Sequence, residues 1–299
     1  TMTATLVNAV VNLAAIREHA KEQLTGILRA AAGTKCAILD PSLSRPLQIL
    51  MGVQVFKDNG VSTFIRLGDD TPHVDTTIFI VRPDVSIMHG VAQHIQRCLR
   101  EGRESKFFVV FVPRSTFLCT AVLRDQGVFG DVAVHELNAD LIPYDDDVLS
   151  MELPNAFREC ALEGDHTVVT FVAKALLKLQ NLYGRVSDIK AKGKYAKLAL
   201  DMMLQMMQEE GGPEAGAGSD VDQLVIIDRS VDLVTPMVLP LTYEALLDHV
   251  IGIAGGSVPV SSAVVNQEIG KKKEETPADA ELVSYELNSN DKLYAEIRD

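Results

Sequence analysis

The sequence predicts an α/β protein built on a parallel sheet that helices cover on both faces. Three observations support this fold class. Short runs of aliphatic and aromatic residues alternate with segments of helical periodicity through residues 13–134. Most of these runs end at a polar residue or at a proline. The runs are apolar at successive positions, which is typical of strands buried on both faces of a parallel sheet.

Repeated strand–helix alternation predicts parallel strands joined by crossover helices, and therefore a first α/β domain. The predicted strands cover residues 36–39, 64–67, 77–81, 107–112 and 132–134. The predicted helices cover residues 13–31, 45–56, 88–99 and a short segment capped by Ser115 and ended by Gly127.

The next part of the chain predicts a second α/β domain that is incomplete. Asp165 can cap a helix over residues 168–183, and a second helix is expected to run from Ser187. A glycine-rich loop at residues 211–220 precedes a strand at 224–227, which the pattern predicts to be buried on both faces. Two helices and one strand do not complete a sheet, so we expect further strands outside this segment.

The last part of the chain begins with a polar turn at residues 228–236. A proline there prevents a helix from running through it. A helix at 241–253, an exposed loop at 255–277, a short segment at 282–287 and a final helix at 289–298 are expected to follow. The final helix has no stop signal, so we expect the chain to be a truncated one.

Composition excludes several classes of protein. The net charge is −13 over 299 residues, which argues against a nucleic-acid-binding surface. No apolar run is long enough to span a bilayer. The four cysteines have no metal-ligand spacing and lie mostly in apolar segments, as expected for free thiols in a reducing compartment.

The motifs of common α/β enzymes are absent from the sequence. There is no GxGxxG turn, no GxxxxGK[ST] loop and no GxSxG elbow. Asp40 and Asp228 each follow a strand, where ligands bind in such folds, so a nucleotide- or metal-binding enzyme is the alternative hypothesis. Aspartate also ends strands for turn geometry alone. No nucleophile, base and oxyanion donor come together, and we expect no catalysis, no cofactor and no metal.

Several segments together resemble one family. The stretch LVIIDRSVDLVTPMVLPLTYEALLDHVIGI is similar to the signature of the Sec/Munc (SM) family of SNARE regulators. The segments FVPRSTFLC, DLIPYDDDVLSME, AFRECALEGD and LLKLQNLYG are similar to those of its vacuolar branch. The resemblance covers almost the whole chain in the family's order, although members are about twice as long.

The resemblance implies an arch of three domains, here SM domain 1 at residues 1–138, the first part of SM domain 2 at 139–240, and the start of a mainly helical domain 3 at 241–299. The missing strands of domain 2 would come from the carboxyl-terminal part of the family's chain. An open edge and an uncovered apolar face are therefore expected in domain 2.

The resemblance also implies binding without chemistry. Members clasp SNARE helices, a Qa-SNARE helix and possibly an R-SNARE through domain 3, and template their assembly before fusion. The vacuolar branch belongs to the HOPS and CORVET tethering complexes, docked on the solenoid subunit numbered 16, in the cytoplasm at late endosome, vacuole and lysosome membranes. No nucleic acid and no direct membrane insertion are implied.

Two groups of residues are assigned roles through the resemblance. Asp40 and Arg45 match positions where relatives contact a SNARE; the simpler alternative is that Asp40 ends a strand and Arg45 is solvated. A second group, which we call the joint motif, is expected to hold the boundary between domains through side-chain bonds to backbone groups. The joint motif consists of Asp228, Arg229, Asp232, Thr235, Pro236 and Tyr243.

Overall fold

A computed structural model describes residues 11–70, 72–103, 105–145, 147–213, 218–253, 256–261 and 282–286. Its centre is a parallel sheet of five strands in the order β2-β1-β3-β4-β5. The strands are β1 (Lys35–Leu39), β2 (Val61–Ile65), β3 (Thr76–Val81), β4 (Lys106–Phe111) and β5 (Val132–Glu136). The predicted parallel sheet is thereby confirmed, and β3 is buried along its whole length.

Helices cover both faces of this sheet. They are α1 (Ala14–Ala30), α2 (Pro41–Met51), α3 (Gln54–Asp58), α4 (Val85–Arg100) and α5 (Phe117–Asp125). On one face α1, α2 and α3 pack against the sheet through Ile16, Leu24 and Leu47, among others. On the other face α4 and α5 pack through Met88, Ile95 and Leu123. The alternating apolar faces of the strands thus supply two separate cores.

Three local predictions for this domain need correction. Helix α2 begins at Pro41, because Asp40 caps it and proline suits the first helical position, whereas the sequence predicted a start at Arg45. Strand β2 begins at Val61, three residues before its predicted start. Thr116 caps α5 in place of Ser115, since its hydroxyl accepts from the amide of Cys119. The Ser115 hydroxyl instead donates to Glu136.

The chain then forms a small hairpin and a helical segment. Strands β6 (Ile142–Pro143) and β7 (Leu149–Ser150) pair antiparallel. A single turn, α6 (Ala156–Arg158), continues into a π-helical turn at Glu159–Glu163. Helix α7 (Thr167–Tyr183) follows, with His166 at its N-cap position. Asp165, which the sequence predicted as the cap, lies one residue earlier and accepts a hydrogen bond from the amide of Thr167.

A second sheet has two strands in the described part of the chain. Strand β8 (Asp188–Lys192) pairs in parallel with β9 (Gln223–Ile227), and α8 (Lys194–Glu210) connects them. The predicted helix from Ser187 is therefore wrong over β8, and it begins only at Lys194. The paired methionines of α8 are core residues, since Met203 and Met207 pack against α7.

Strand β9 is half-buried on one face and exposed on the other, contrary to the expectation of burial on both. Val225 is 51% exposed and Ile227 is 67% exposed. Within the described part of the chain this sheet has no third strand.

The chain divides into two compact units, residues 1–228 and 229–299. The second unit contains 3₁₀ turns at Arg229–Val231 and Thr235–Met237 and the helix α9 (Tyr243–Val250). Strands β10 (Ser257–Ser261) and β11 (Leu282–Glu286) form an antiparallel pair. The loop expected at 255–277 is thus partly strand, because Ser257–Ser261 is paired. The final helix predicted at 289–298 lies outside the described residues.

Candidate functional site

Asp40 lies at the carboxyl end of β1, where it joins three elements. Its Oδ1 accepts a hydrogen bond from the amide of Ser42 at 2.9 Å and so caps α2. Its Oδ2 accepts from the amide of Arg82, just beyond β3, at 3.3 Å. The side chain is only 7% exposed. These contacts fit the structural alternative for Asp40, in which the residue ends the strand.

Arg45, the second predicted SNARE contact, is half-buried on α2 within a cluster of polar side chains. Burial raises the pKa of the Tyr144 hydroxyl, and the nearby Glu152 carboxylate raises it further, while the Arg45 and Arg82 guanidiniums lower it. Burial also lowers the pKa of Arg82, whereas the negative charges of Asp40 and Glu152 raise it. Two guanidiniums thus lie among two carboxylates and a phenol.

This cluster occupies the place where parallel sheets usually bind ligands. The strand order reverses at β1, which has β2 on one side and β3 on the other. In open α/β folds the ligand crevice lies at the carboxyl ends of the two strands at such a reversal. Here the ends of β1 and β3 meet side chains of the chain itself, including Tyr144 and Glu152. The cluster is balanced in charge and serves to hold the segment after β5 against the sheet.

Sequence reasoning missed Tyr144 and Glu152 because they are distant from β1 and belong to no catalytic pattern. The conformation of Glu152 also has no sequence signal. Its φ is 50°, which is uncommon for a residue with a side chain. The Ser150 hydroxyl holds it there, since it donates to the Glu152 carboxylate and accepts from the Glu152 amide.

A second buried cluster joins α7 to the same end of the sheet. The Lys178 ammonium donates to the carbonyl oxygen of Asn138 at 2.5 Å. Asp140 is 2% exposed, and its carboxylate lies 3.5 Å from the Arg114 guanidinium. Burial raises the pKa of Asp140, while the charges of Arg114 and Lys178 lower it. The first sheet and α7 are therefore connected by buried charges as well as by apolar packing.

Asp228, the first residue of the joint motif, caps α8, whose first turn lies more than thirty residues earlier in the chain. Its Oδ2 accepts a hydrogen bond from the amide of Tyr195 at 2.8 Å, in the first turn of α8. Gly193 makes this contact possible, because its φ is 108° and a β carbon there would overlap the β carbon of Asp228. Asp228 thus connects β9 to α8. The sequence does not reveal this role, because Gly193, which allows the contact, lies far from Asp228 along the chain.

Asp232 organises the turn after β9. Its carboxylate accepts hydrogen bonds from the amides of Val234 and Thr235, at 3.0 and 3.1 Å, and from the Thr235 hydroxyl. These bonds lower the pKa of Asp232, the Thr235 hydroxyl first. The Arg229 guanidinium donates to the Asp232 carbonyl oxygen at 2.7 Å. The turn is held by its own side chains.

The two other residues of the joint motif lie where helical turns begin. Pro236 occupies the start of the 3₁₀ turn Thr235–Met237, where a missing amide hydrogen costs nothing. Tyr243 is the first residue of α9 and is half-buried. Within the described residues the joint motif forms two local structures, one around Asp228 and one around Asp232.

The described residues contain neither a metal-ligand cluster nor a helix that could cross a membrane. Among them, no group of three or more His, Cys, Asp or Glu side chains is placed to hold a metal ion. None of the helices in the described ranges combines the length and apolarity that a bilayer crossing requires. All four cysteines are buried, and none of them forms a disulfide bond.

The fold defines a class: an α/β domain with a cluster of its own charged and phenolic side chains at the ends of β1 and β3, followed by a second parallel pair of strands. The chain belongs to the Sec1 family, whose sequence profile matches residues 35–299.

The chain is similar to vacuolar sorting proteins and to a solved SM protein. Vacuolar protein sorting-associated protein 33A of Rattus norvegicus is 37% identical over 295 residues, which are 97% of this chain and 49% of the rat protein. The Arabidopsis thaliana homolog of protein 33 is 34% identical over 297 residues, 98% of this chain and 48% of its own length. This chain therefore spans about half the length of the curated relatives it matches.

The structure of the SM protein Vps45 in complex with the Qa SNARE Tlg2 (1-310) matches with a TM-score of 0.56 and 16% identity. The match covers 94% of this chain and 50% of the Vps45 chain. This likeness confirms the mixed α/β fold around a central parallel sheet.

Proposed function

We propose that this chain is the amino-terminal half of an SM protein of the vacuolar branch, which binds SNARE helices and templates their assembly before membrane fusion. The match of residues 35–299 to the Sec1 family carries the proposal. The vacuolar sorting names of the relatives favour the vacuolar branch. The structure of an SM protein with a Qa SNARE favours a SNARE helix as the ligand.

The protein acts by binding and is not an enzyme. The filled crevice at the ends of β1 and β3 supports this part of the proposal, because the usual ligand place is taken by Arg82, Tyr144 and Glu152. A nucleotide-binding enzyme would have to displace that cluster, whose charges are already balanced.

Of the two residues proposed for SNARE contact, Arg45 is the better placed to touch a partner. It lies half-buried on α2, whereas Asp40 is only 7% exposed. Asp40 would act through the loop that it caps, because its carboxylate is engaged with the amides of Ser42 and Arg82.

Residues 1–138, 139–240 and 241–299 are proposed as SM domain 1, the first part of domain 2 and the start of domain 3. The joint motif would fix the exit from domain 2, since Asp228 ties β9 to α8 and Asp232 shapes the turn that follows. An R-SNARE would be reached through domain 3. The solenoid subunit numbered 16 would place the protein in HOPS and CORVET, peripheral on late endosome, vacuole or lysosome membranes.

The test is a pull-down of the full-length protein against a panel of SNARE helices, with the solenoid subunit as a separate bait. We expect retention of a Qa-SNARE helix and of the solenoid subunit. The matched control is the same SNARE helix with its central apolar layers replaced by aspartate, which should not be retained. If the full-length protein retains neither the SNARE helix nor the solenoid subunit, the proposal is contradicted.

A thermal-shift screen with nucleotides and divalent ions tests the enzyme alternative. We expect no change in the unfolding temperature, because the crevice is filled. A rise of several degrees with a nucleotide would favour the alternative.

A further inference from the structure

Both backbone groups of Asn138, which follows β5, are bound by side chains of distant helices. Its amide donates a hydrogen bond to Gln23 Oε1, on α1, at 3.1 Å. Its carbonyl oxygen accepts a hydrogen bond from the Lys178 ammonium, on α7, at 2.5 Å. Gln23 and Asn138 are 115 residues apart in the chain, so their bond is a tertiary contact. One residue thus links α1, α7 and the segment after β5.

The bond to Asn138 fixes the orientation of the Gln23 side chain. A backbone amide can only donate, so the Gln23 atom that it meets must be the carbonyl oxygen. The Gln23 amide nitrogen therefore points to its other neighbour, His19, whose Nε2 lies 3.2 Å away. Because the Gln23 nitrogen is itself a donor, His19 Nε2 must be the acceptor. The His19 ring is consequently neutral, with its proton on Nδ1.

A proton on His19 Nε2 is incompatible with this arrangement. In the charged imidazolium both ring nitrogens are donors, so Nε2–H would face the NH₂ group of Gln23. Turning the Gln23 amide over would satisfy His19, but it would then set the NH₂ group against the Asn138 amide. One of the two hydrogen bonds of Gln23 must therefore break when His19 takes up a proton.

The charges that act on His19 come from three elements. Burial lowers the pKa of His19, and the Lys178 ammonium of α7 lowers it further. The carboxylates of Glu22, on α1, and Asp140, after β5, act in the opposite direction. The folded chain therefore binds this proton less readily than the unfolded chain does.

A groove between α1 and β5 reaches Gln23 and contains a second histidine. Glu22 of α1 and His135 and Glu136 of β5 line it beside Gln23. Burial lowers the pKa of His135 as well, and its ring stacks on Phe108. The titration of His135 must therefore be separated from that of His19 in any experiment.

We propose that His19, Gln23 and the backbone of Asn138 form a pH-sensitive contact between α1 and the segment after β5. We call it the His19 contact. It is closed while His19 is neutral, and it opens when His19 takes up a proton under mildly acidic conditions. Opening loosens the attachment of α1 to the residues that connect β5 with the β6–β7 hairpin, and it leaves the bond between Lys178 and Asn138 in place.

Urea unfolding of the 299-residue chain measures the effect of this proton on stability. With an ordinary histidine pKa of 6.5, the unfolded chain takes up the proton between about pH 7.5 and about pH 5.5. If the folded chain does not, the unfolding equilibrium constant rises by up to about ten-fold over that range. His19→Gln offers an acceptor oxygen that cannot titrate, and it should remove this share of the pH dependence. His89→Gln, at an exposed position of α4, is the matched control and should leave the pH dependence unchanged.

Two NMR measurements observe the His19 contact directly. At neutral pH the imidazole nitrogen shifts should place the proton of His19 on Nδ1. Hydrogen exchange at the Asn138 amide, taken relative to its intrinsic rate at each pH, should show protection that falls by up to about ten-fold between about pH 7.5 and about pH 5.5. This fall should disappear in His19→Gln and persist in His135→Gln, which separates the two histidines.

Three results would overturn the His19 contact. The first is a neutral His19 ring that carries its proton on Nε2, because that atom could not then accept from Gln23. The second is a His19→Gln variant whose stability depends on pH as strongly as that of the unchanged chain. The third is a loss of Asn138 protection that depends on His135 and not on His19, which would identify His135 as the titrating group.

Discussion

The buried charge of Lys178 offers the sharpest test of how α7 is held to the first sheet. The side chain is 9% exposed, and its ammonium donates to the Asn138 carbonyl oxygen at 2.5 Å. It also lies close enough to Asp140 to lower the pKa of that buried carboxyl. Replacing Lys178 by methionine keeps an unbranched side chain close in length to the aliphatic part of lysine and removes the ammonium group with its charge and hydrogen bonds.

The expected loss follows from what the substitution leaves behind. Removing one partner of a buried ion pair costs about 3–5 kcal/mol when the other charge is stranded, and this is an upper bound here because Lys178 acts on Asp140 through its charge without a direct ion pair. Here Asp140 keeps the Arg114 guanidinium at 3.5 Å, which reduces the loss. The unsatisfied Asn138 carbonyl adds about 1 kcal/mol or more. We therefore expect Lys178→Met to lower the free energy of unfolding by about 3 kcal/mol at neutral pH.

The pH dependence follows from the pKa of Asp140. Burial raises that pKa above its ordinary value, and the loss of Lys178 should raise it further. A group whose pKa is raised in the folded state contributes stability at low pH and loses it as pH rises through the folded pKa. The defect of Lys178→Met should therefore shrink on acidification, and Asp140→Asn should recover about 1–2 kcal/mol in the double variant.

Urea unfolding followed by circular dichroism measures these changes, since the chain has no tryptophan for fluorescence. The same substitution at the exposed Lys57 is the control and should change stability by no more than about 0.5 kcal/mol. A loss below about 1 kcal/mol for Lys178→Met, with no coupling to Asp140→Asn, would refute the buried-charge argument.

The remaining predictions concern single residues. Gly193→Ala should cost about 2 kcal/mol in urea unfolding, because the positive φ is strained for alanine and its β carbon overlaps Asp228. Gly26→Ala, where no atom lies within 4 Å of the added carbon, should instead stabilise α1 by up to about 1 kcal/mol; equal losses at both sites would contradict this. Asp40→Ala should cost about 1–2 kcal/mol through the lost helix cap, and an unchanged urea midpoint would count against it. The lowered pKa of Asp232 predicts that its turn is stable above the ordinary carboxyl range and loosens as pH falls through the folded pKa, which amide NMR shifts would follow.

The first sheet could be predicted because its signals are local. Residues 78–81 and 107–111 are unbroken apolar runs, and Asp84 caps α4 from the adjacent residue. The element boundaries depend on cap geometry that the sequence pattern does not show. The two prolines of α2, Pro41 and Pro46, made its first residue hard to predict. A sequence pattern does not show that the Asp40 side chain accepts a hydrogen bond from the first turn and so caps the helix.

The second sheet was harder to predict because β8 has no apolar run of its own. Its residues alternate between lysine and small or aliphatic side chains, and low strand propensity favoured a helix. Pairing with β9 made it a strand. Likewise Ser257–Ser261 is a strand through its pairing with Leu282–Glu286, in a region whose composition indicated a loop.

The sequence by itself determined the class of fold, the two covered faces of the first sheet and, through its motifs, the family. Only the tertiary structure decided how the polar residues are used. Asp228 caps α8 across more than thirty residues, Lys178 reaches Asn138, and Tyr144 and Glu152 fill the crevice beside Arg82. The physical reason is that a buried polar group must find its partner in space, and no local pattern records partners so far apart along the chain.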